Sequence, residues 1–225
     1  MKTSFLKKLR PFLLILILLL TAGLASAQTT LTETFTYDGH LRSYNIYLPA
    51  NYVSNSVRPL IIHFHGYSAN ASLDQNLTQW MPVADTAGFL VAYPNGLTDN
   101  LGNQYWNVGW PWLPNTDDVA FVSVLIDTLH SRYNIDMNSV YATGFSAGGF
   151  MSHLLAAKLS TRITACASVS GGMAPGVFDT IVPQRPVPII EMHGTADGLV
   201  PYDGNTGQFA SVNTDSLIHF WAVNN

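Results

Sequence analysis

The sequence predicts an α/β fold, with one mostly parallel sheet and helices on both faces. Three observations carry that expectation. Short apolar runs bounded by Gly or Pro alternate with stretches of helical periodicity. Apolar residues make up 48% of the 225 residues and charged residues 11%, which supplies one large core and excludes a disordered chain. No internal repeat, low-complexity tract or long linker breaks the pattern, so residues 28–225 are expected to form one domain.

The first 27 residues are set apart from that domain. Lys2, Lys7, Lys8 and Arg10 form a basic start, Phe12 to Leu20 is an unbroken apolar run, and Ala25-Ser26-Ala27 supplies small residues. This predicts a secretory signal peptide cleaved before Gln28. The run is shorter than the roughly 20 residues of a bilayer span. Cleavage removes four of the ten basic residues and no acid, leaving six Lys+Arg against 14 Asp+Glu, a balance of −8. So acidic a chain has no electrostatic footprint for nucleic acid or anionic lipid. The expectation is a secreted protein, extracellular or periplasmic, with no nucleic-acid partner and no membrane contact after cleavage. Cys166 is the sole cysteine, and its strand-like setting predicts a small buried filler.

Glu33 to Tyr37 and Arg42 to Leu48, split by Asp38-Gly39, predict a hairpin. Buried strands are expected at Pro59–His65, Phe89–Tyr93, Ser139–Thr143, Ile163–Val169 and Pro188–Met192. Helices are expected at Leu73–Ala87, interrupted by Pro82, at Asp117–Tyr133 behind a Thr116 cap, at Ser146–Leu159, and at Thr214–Val223 with Thr214 as cap. Asp117 and Asp118 suit the first turn of their helix, where the dipole favours negative charge, so a structural role is expected for both.

In such a sheet, chemistry gathers at the carboxyl ends of the strands, and three segments stand there. Gly144-Phe145-Ser146-Ala147-Gly148 joins a strand to a helix. A serine is a poor nucleophile unless a sharp turn holds it exposed, and glycines at 144 and 148 relieve the crowding of that turn. The Ala147 amide, at the helix start, then faces a developing oxyanion. His63-Phe64-His65-Gly66-Tyr67 ends an earlier strand, where the Tyr67 amide supplies the second oxyanion donor. His65 is expected to brace that loop and His63 to face the core or a helix. His193-Gly194-Thr195-Ala196-Asp197 ends a late strand and offers Asp197 as the acid that orients a base. His219 is the sole histidine after Asp197, and it falls inside the expected last helix. The sequence therefore leads to the expectation that the chain is incomplete at its C-terminus, with the base, and the strand before it, beyond residue 225.

These segments, with Ser43–Pro49, Asp117–Phe121 and Tyr133–Asp136, resemble the secreted polyhydroxybutyrate depolymerase and feruloyl esterase family, similar to carbohydrate esterase family one. The resemblance implies an α/β-hydrolase fold and carboxylic ester hydrolysis without cofactor or metal. It implies attack by Ser146, an oxyanion held by the Tyr67 and Ala147 amides, and Asp197 as the acid. The implied substrate is an ester-bearing polymer, such as a polyester or an acylated polysaccharide, or a small ester. Trp106 and Trp110, in an aromatic segment, are candidate substrate-stacking residues, against a loop folding its own aromatics inward. Two alternatives stand beside the esterase: an inactive hydrolase-like domain that binds carbohydrate or polymer, and a serine peptidase of the same fold.

Overall fold

In the computed structural model, which describes residues 29–225, the chain enters through the expected hairpin. Strands β1 (Thr29–Tyr37) and β2 (His40–Leu48) pair antiparallel with Tyr37 opposite His40. Asp38 and Gly39 turn between them with φ of 48° and 73°. Two positive φ angles match the twist of the flanking strands, which is why Asp-Gly closes this turn. The expected leader lies outside the described residues.

The remaining strands are β3 (Arg58–Phe64), β4 (Leu90–Pro94), β5 (Leu97–Thr98), β6 (Gln104–Tyr105), β7 (Ile135–Phe145), β8 (Ala165–Val169) and β9 (Ile189–Met192). The main sheet runs β1-β2-β4-β3-β7-β8-β9, and β5 and β6 pair by themselves. β2 meets β4 antiparallel, and each neighbouring pair from β4 to β9 is parallel. The helices are α1 (Ala71–Thr78), α2 (Trp80–Ala87), α3 (Asp118–Tyr133), α4 (Ala147–Lys158), α5 (Pro175–Phe178) and α6 (Thr214–Asn224). The expected α/β fold is therefore present.

Strand alternation sorts side chains to the two faces. Leu60, Ile62 and Phe64 of β3 join the large core under α3, α4 and α6. Ile61 turns to the smaller cluster with Ala71 of α1 and Ala84 of α2. His63 points the same way, its Nε2 3.2 Å from Asp74 of α1.

Three local expectations need correction. The 73–87 helix is two helices, and the break is at Gln79, whose φ is 49°, not at Pro82. Pro82 sits in the first turn of α2, where its missing N–H has no intrahelical partner to lose. Asp117, not Thr116, caps α3, accepting from the Ala120 amide at 2.9 Å. Asn213, not Thr214, caps α6 by accepting from Ser216 N–H.

Asp118 is buried and does more than face a dipole. It accepts from Arg42 of β2 at 2.8 Å, and the Arg42 guanidinium lies 3.6 Å over the Phe121 ring. Its second oxygen accepts from the Asn107 amide at 2.8 Å. One carboxylate thus ties the hairpin, the aromatic segment and α3 together. Removing one partner of so buried a pair costs about 3–5 kcal/mol.

Candidate active site

β7 ends at Phe145, and the chain reverses into α4 through Ser146 with φ 55° and ψ −122°. A side chain in that region costs on the order of 1–3 kcal/mol and persists where the surroundings fix it, commonly at active sites. The surroundings here are backbone. A Cβ on Gly148 would stand 1.8 Å from the Phe64 carbonyl oxygen, and one on Gly144 2.4 Å from Gly148 itself. Only glycine fits at either position, so β3, β7 and α4 meet at contact distance beneath Ser146. The Ser146 amide donates to the Val169 carbonyl at 2.9 Å, lacing the elbow to β8. Ala147 opens α4, so its N–H has no intrahelical acceptor.

The loop after β3 lies against the elbow. A Cβ on Gly66 would stand 3.6 Å from the Ser146 Cβ, which places the Gly66–Tyr67 backbone beside the serine. His65 fixes this loop as the sequence suggests. The Gly96 amide donates to its Nε2 at 2.9 Å, so Nδ1 carries the proton and donates to the Gly66 carbonyl at 2.7 Å. Burial holds the imidazole below its usual range, which keeps that neutral tautomer. Tyr67 donates its hydroxyl to Asp99 at 2.6 Å and sets its ring edge-on to Trp112 at 5.4 Å.

Of the two alternatives for Trp106 and Trp110, the structure follows inward packing. Trp106 is wholly buried, donates to the His65 carbonyl at 2.9 Å and packs edge-on against Phe64. Trp110 is 2% exposed, donates to the Ala210 carbonyl and packs on Phe150. An indole with its N–H bonded to backbone and its faces covered has none to offer a sugar. The loop folds its aromatics inward, and half-buried Trp112 and Phe209 are the rings left at the surface beside Tyr67.

Asp197 stands past the end of β9. Its Oδ1 accepts from the Leu199 amide at 2.9 Å and the Val200 amide at 3.0 Å. The Val200 amide, then that of Leu199, holds the carboxyl below the usual range despite some desolvation. The Ser170 amide donates to the Met192 carbonyl at 2.8 Å, so the ends of β7, β8 and β9 are laced in sequence along one sheet edge. Ser146, the Gly66–Tyr67 loop and Asp197 therefore share that edge. His219 is exposed on α6, on the side away from buried Trp221. Among the described residues no histidine hydrogen-bonds the Ser146 hydroxyl, and no cluster of three or more His, Cys, Asp or Glu is placed to hold a metal ion.

The sequence reading gave no role to one buried group near this edge. Glu191 of β9 accepts from His153 of α4 at 2.8 Å and lies 3.3 Å from His193. A glutamate in an apolar strand, Ile189-Ile190-Glu191-Met192, is the signal that marks it.

A mostly parallel sheet with a glycine-framed serine elbow at its carboxyl edge defines the α/β-hydrolase class. Solved structures share the fold. A thermostable esterase superposes with a TM-score of 0.64 at 21% identity, over 86% of this chain and 52% of that one. The ferulic acid esterase AmCE1/Fae1A of Anaeromyces mucronatus superposes with a TM-score of 0.62 at 16% identity, over 90% and 84%. Within that class the chain belongs to the family described as Esterase PHB depolymerase, whose profile matches residues 42–184. It is 37% identical over 161 residues to the bifunctional acetylxylan esterase/xylanase XynS20E of Neocallimastix patriciarum. It is 32% identical over 169 residues to feruloyl esterase B of Piromyces equi. These alignments cover 72% and 74% of this chain but only 22% and 31% of the two relatives. Among the described residues no helix is long and apolar enough to cross a membrane.

Proposed function

We propose that the protein is a secreted carboxylic ester hydrolase with Ser146 as nucleophile. The observation that carries this reading is the Ser146 backbone, held at φ 55° by glycines that admit no Cβ. The Ser146 hydroxyl attacks the ester carbonyl, and the Ala147 and Tyr67 amides receive the oxyanion. The tetrahedral species expels the alcohol, and water hydrolyses the acyl-enzyme. The proton on Ser146 must pass to an imidazole, and the ionised Asp197 is suited to orient that ring and stabilise its charge. The related acetylxylan and feruloyl esterases support an acylated polysaccharide as substrate. The leader motif supports export.

Turnover of p-nitrophenyl acetate tests this reading. Ser146→Ala should reduce the rate to background, and Asp197→Asn should lower kcat by about 10²–10⁴-fold. Unchanged turnover in Ser146→Ala sinks the proposal.

A second reading rests on a specific observation, that no described histidine bonds Ser146. On it the domain binds polysaccharide or polyester without cleaving it. Half-buried Trp112 is then the ring to test, since Trp110 is buried. Retention on insoluble xylan without ester release, lost in Trp112→Ala, supports this alternative. An amide substrate panel separates both from a peptidase.

A further inference from the structure

A chain of buried polar groups runs from α6 to the acid turn. The Trp221 indole N–H donates to His153 Nδ1 at 3.1 Å, so the His153 proton is on Nε2, which donates to Glu191 at 2.8 Å. The other Glu191 oxygen faces His193 Nδ1 at 3.3 Å. His193 Nε2 then donates to the Val200 carbonyl at 2.7 Å and stands 3.9 Å from the Asp197 carboxylate. The side chains of His153, Glu191 and His193 are 0%, 3% and 2% exposed. Burial opposes the charge on Glu191, and the His153 contact, then the Ser168 hydroxyl and His193, outweigh it, leaving the carboxyl below its usual range.

Placement decides what this chain does. His153 lies about two turns along α4 from Ser146, on the helix whose first amide is that of Ala147. Val200, gripped by His193, is also the residue whose amide binds Asp197. The polar chain thus passes through the helix that Ser146 opens and ends on the Asp197 turn. An apolar trio would fill the same space with no desolvation cost, so a buried ionic chain is poorly explained by stability alone. Directional bonds fix a separation in a way that apolar contacts do not.

We propose that Glu191, held between His153 and His193, is a positioning residue that sets the Asp197 turn relative to the Ser146 helix. This rests on Asp197 being the acid of the site. Glu191 touches no substrate, and it acts through the two histidines.

Amide hydrogen exchange with ¹H–¹⁵N spectra of the chain tests this in Glu191→Ala and Glu191→Gln. The Leu199 and Val200 amides should exchange about ten-fold faster or more in Glu191→Ala. The Trp221 indole resonance should shift as His153 loses its acceptor. The Ile61 and Ile62 amides of β3 should keep their protection. Glu191→Gln keeps one carbonyl acceptor, so it should recover part of the turn protection. If Glu191→Ala does not fold, Glu191→Gln and His193→Gln give the same reading, with faster turn exchange expected in each. Parent-like exchange at Leu199 and Val200 in the folded variants overturns the proposal, as does an equal loss of protection across the sheet. Aryl ester turnover gives an independent arm: kcat should fall about ten-fold or more with KM within about two-fold. Absence of Ser146-dependent turnover in the parent would count against the esterase reading, while the exchange arm still decides the role of Glu191.

Discussion

The serine elbow and the acid turn stand two strands apart on one sheet edge, and they are held by different means. The elbow is enforced by backbone contact: Gly144, Gly148 and Phe64 leave no room for another arrangement. The acid turn follows β9, with Gly194 and Gly198 exposed. No atom lies within 4 Å of a Cβ built on Gly198. The turn is held instead by the hydrogen bonds that Asp197 accepts from the Leu199 and Val200 amides and by the one that His193 donates to the Val200 carbonyl. The strained member of this site is thus fixed by backbone contact, and the charged member is steered by polar contacts.

Substitutions in the two regions sharpen that contrast. Gly148→Ala should cost at least about 3 kcal/mol, since neither Phe64 nor the elbow can retreat by the distance required. A denaturant melt within about 1 kcal/mol of the parent would break the account of the elbow. Ser146→Gly should stabilise the chain by about 1 kcal/mol, because glycine accepts φ 55° without strain, while removing the hydroxyl that the proposed reaction requires. A destabilised Ser146→Gly protein would show that the serine conformation is not strained. Asp197→Ala should cost about 1 kcal/mol, the worth of its two turn hydrogen bonds at a partly exposed site.

The Asp197 contribution also carries a pH signature. Its folded carboxyl lies below the usual range, so the stabilisation is present above the unfolded value of about 3.9 and is lost as pH falls through the folded value. The stability difference between the parent and Asp197→Ala should therefore be flat at neutral pH and shrink in acid. A difference that grows in acid contradicts the assignment. Gly198→Ala should change stability by no more than about 0.5 kcal/mol, the smallest effect of the set.

The same contrast explains what the sequence made legible. The elbow is local: five consecutive residues carry its glycines and its serine, and strand and helix patterns flank them. The Asp38-Gly39 turn and the structural role of His65 are readable for the same reason. The break at Gln79 is not legible because its left-handed conformation has no glycine to announce it, whereas Pro82 occupies a position that tolerates proline. The sequence leaves Trp106 and Trp110 open between stacking on substrate and packing inward, because an aromatic-rich loop has no periodicity to tell its inner rings from its outer ones. The Glu191 chain joins residues from β9, α4 and α6 and is 38 positions wide between its first histidine and its carboxylate. Spacing along the sequence cannot bring such partners together, whereas a sheet can.

Cys166 sits on β8, the strand between those two regions, paired with Ala142 on one side and Ile189 on the other. It is the one thiol of the chain, buried, and burial followed by the Glu191 charge pushes its ionisation well above the usual range. In the closed sheet it is screened from solvent and scarcely nucleophilic. An alkylating reagent will therefore mark only molecules whose β8 has opened, adding one label to each. Mass spectrometry of the labelled fraction over time gives the chain a native clock for separation of its two halves, with no engineered probe.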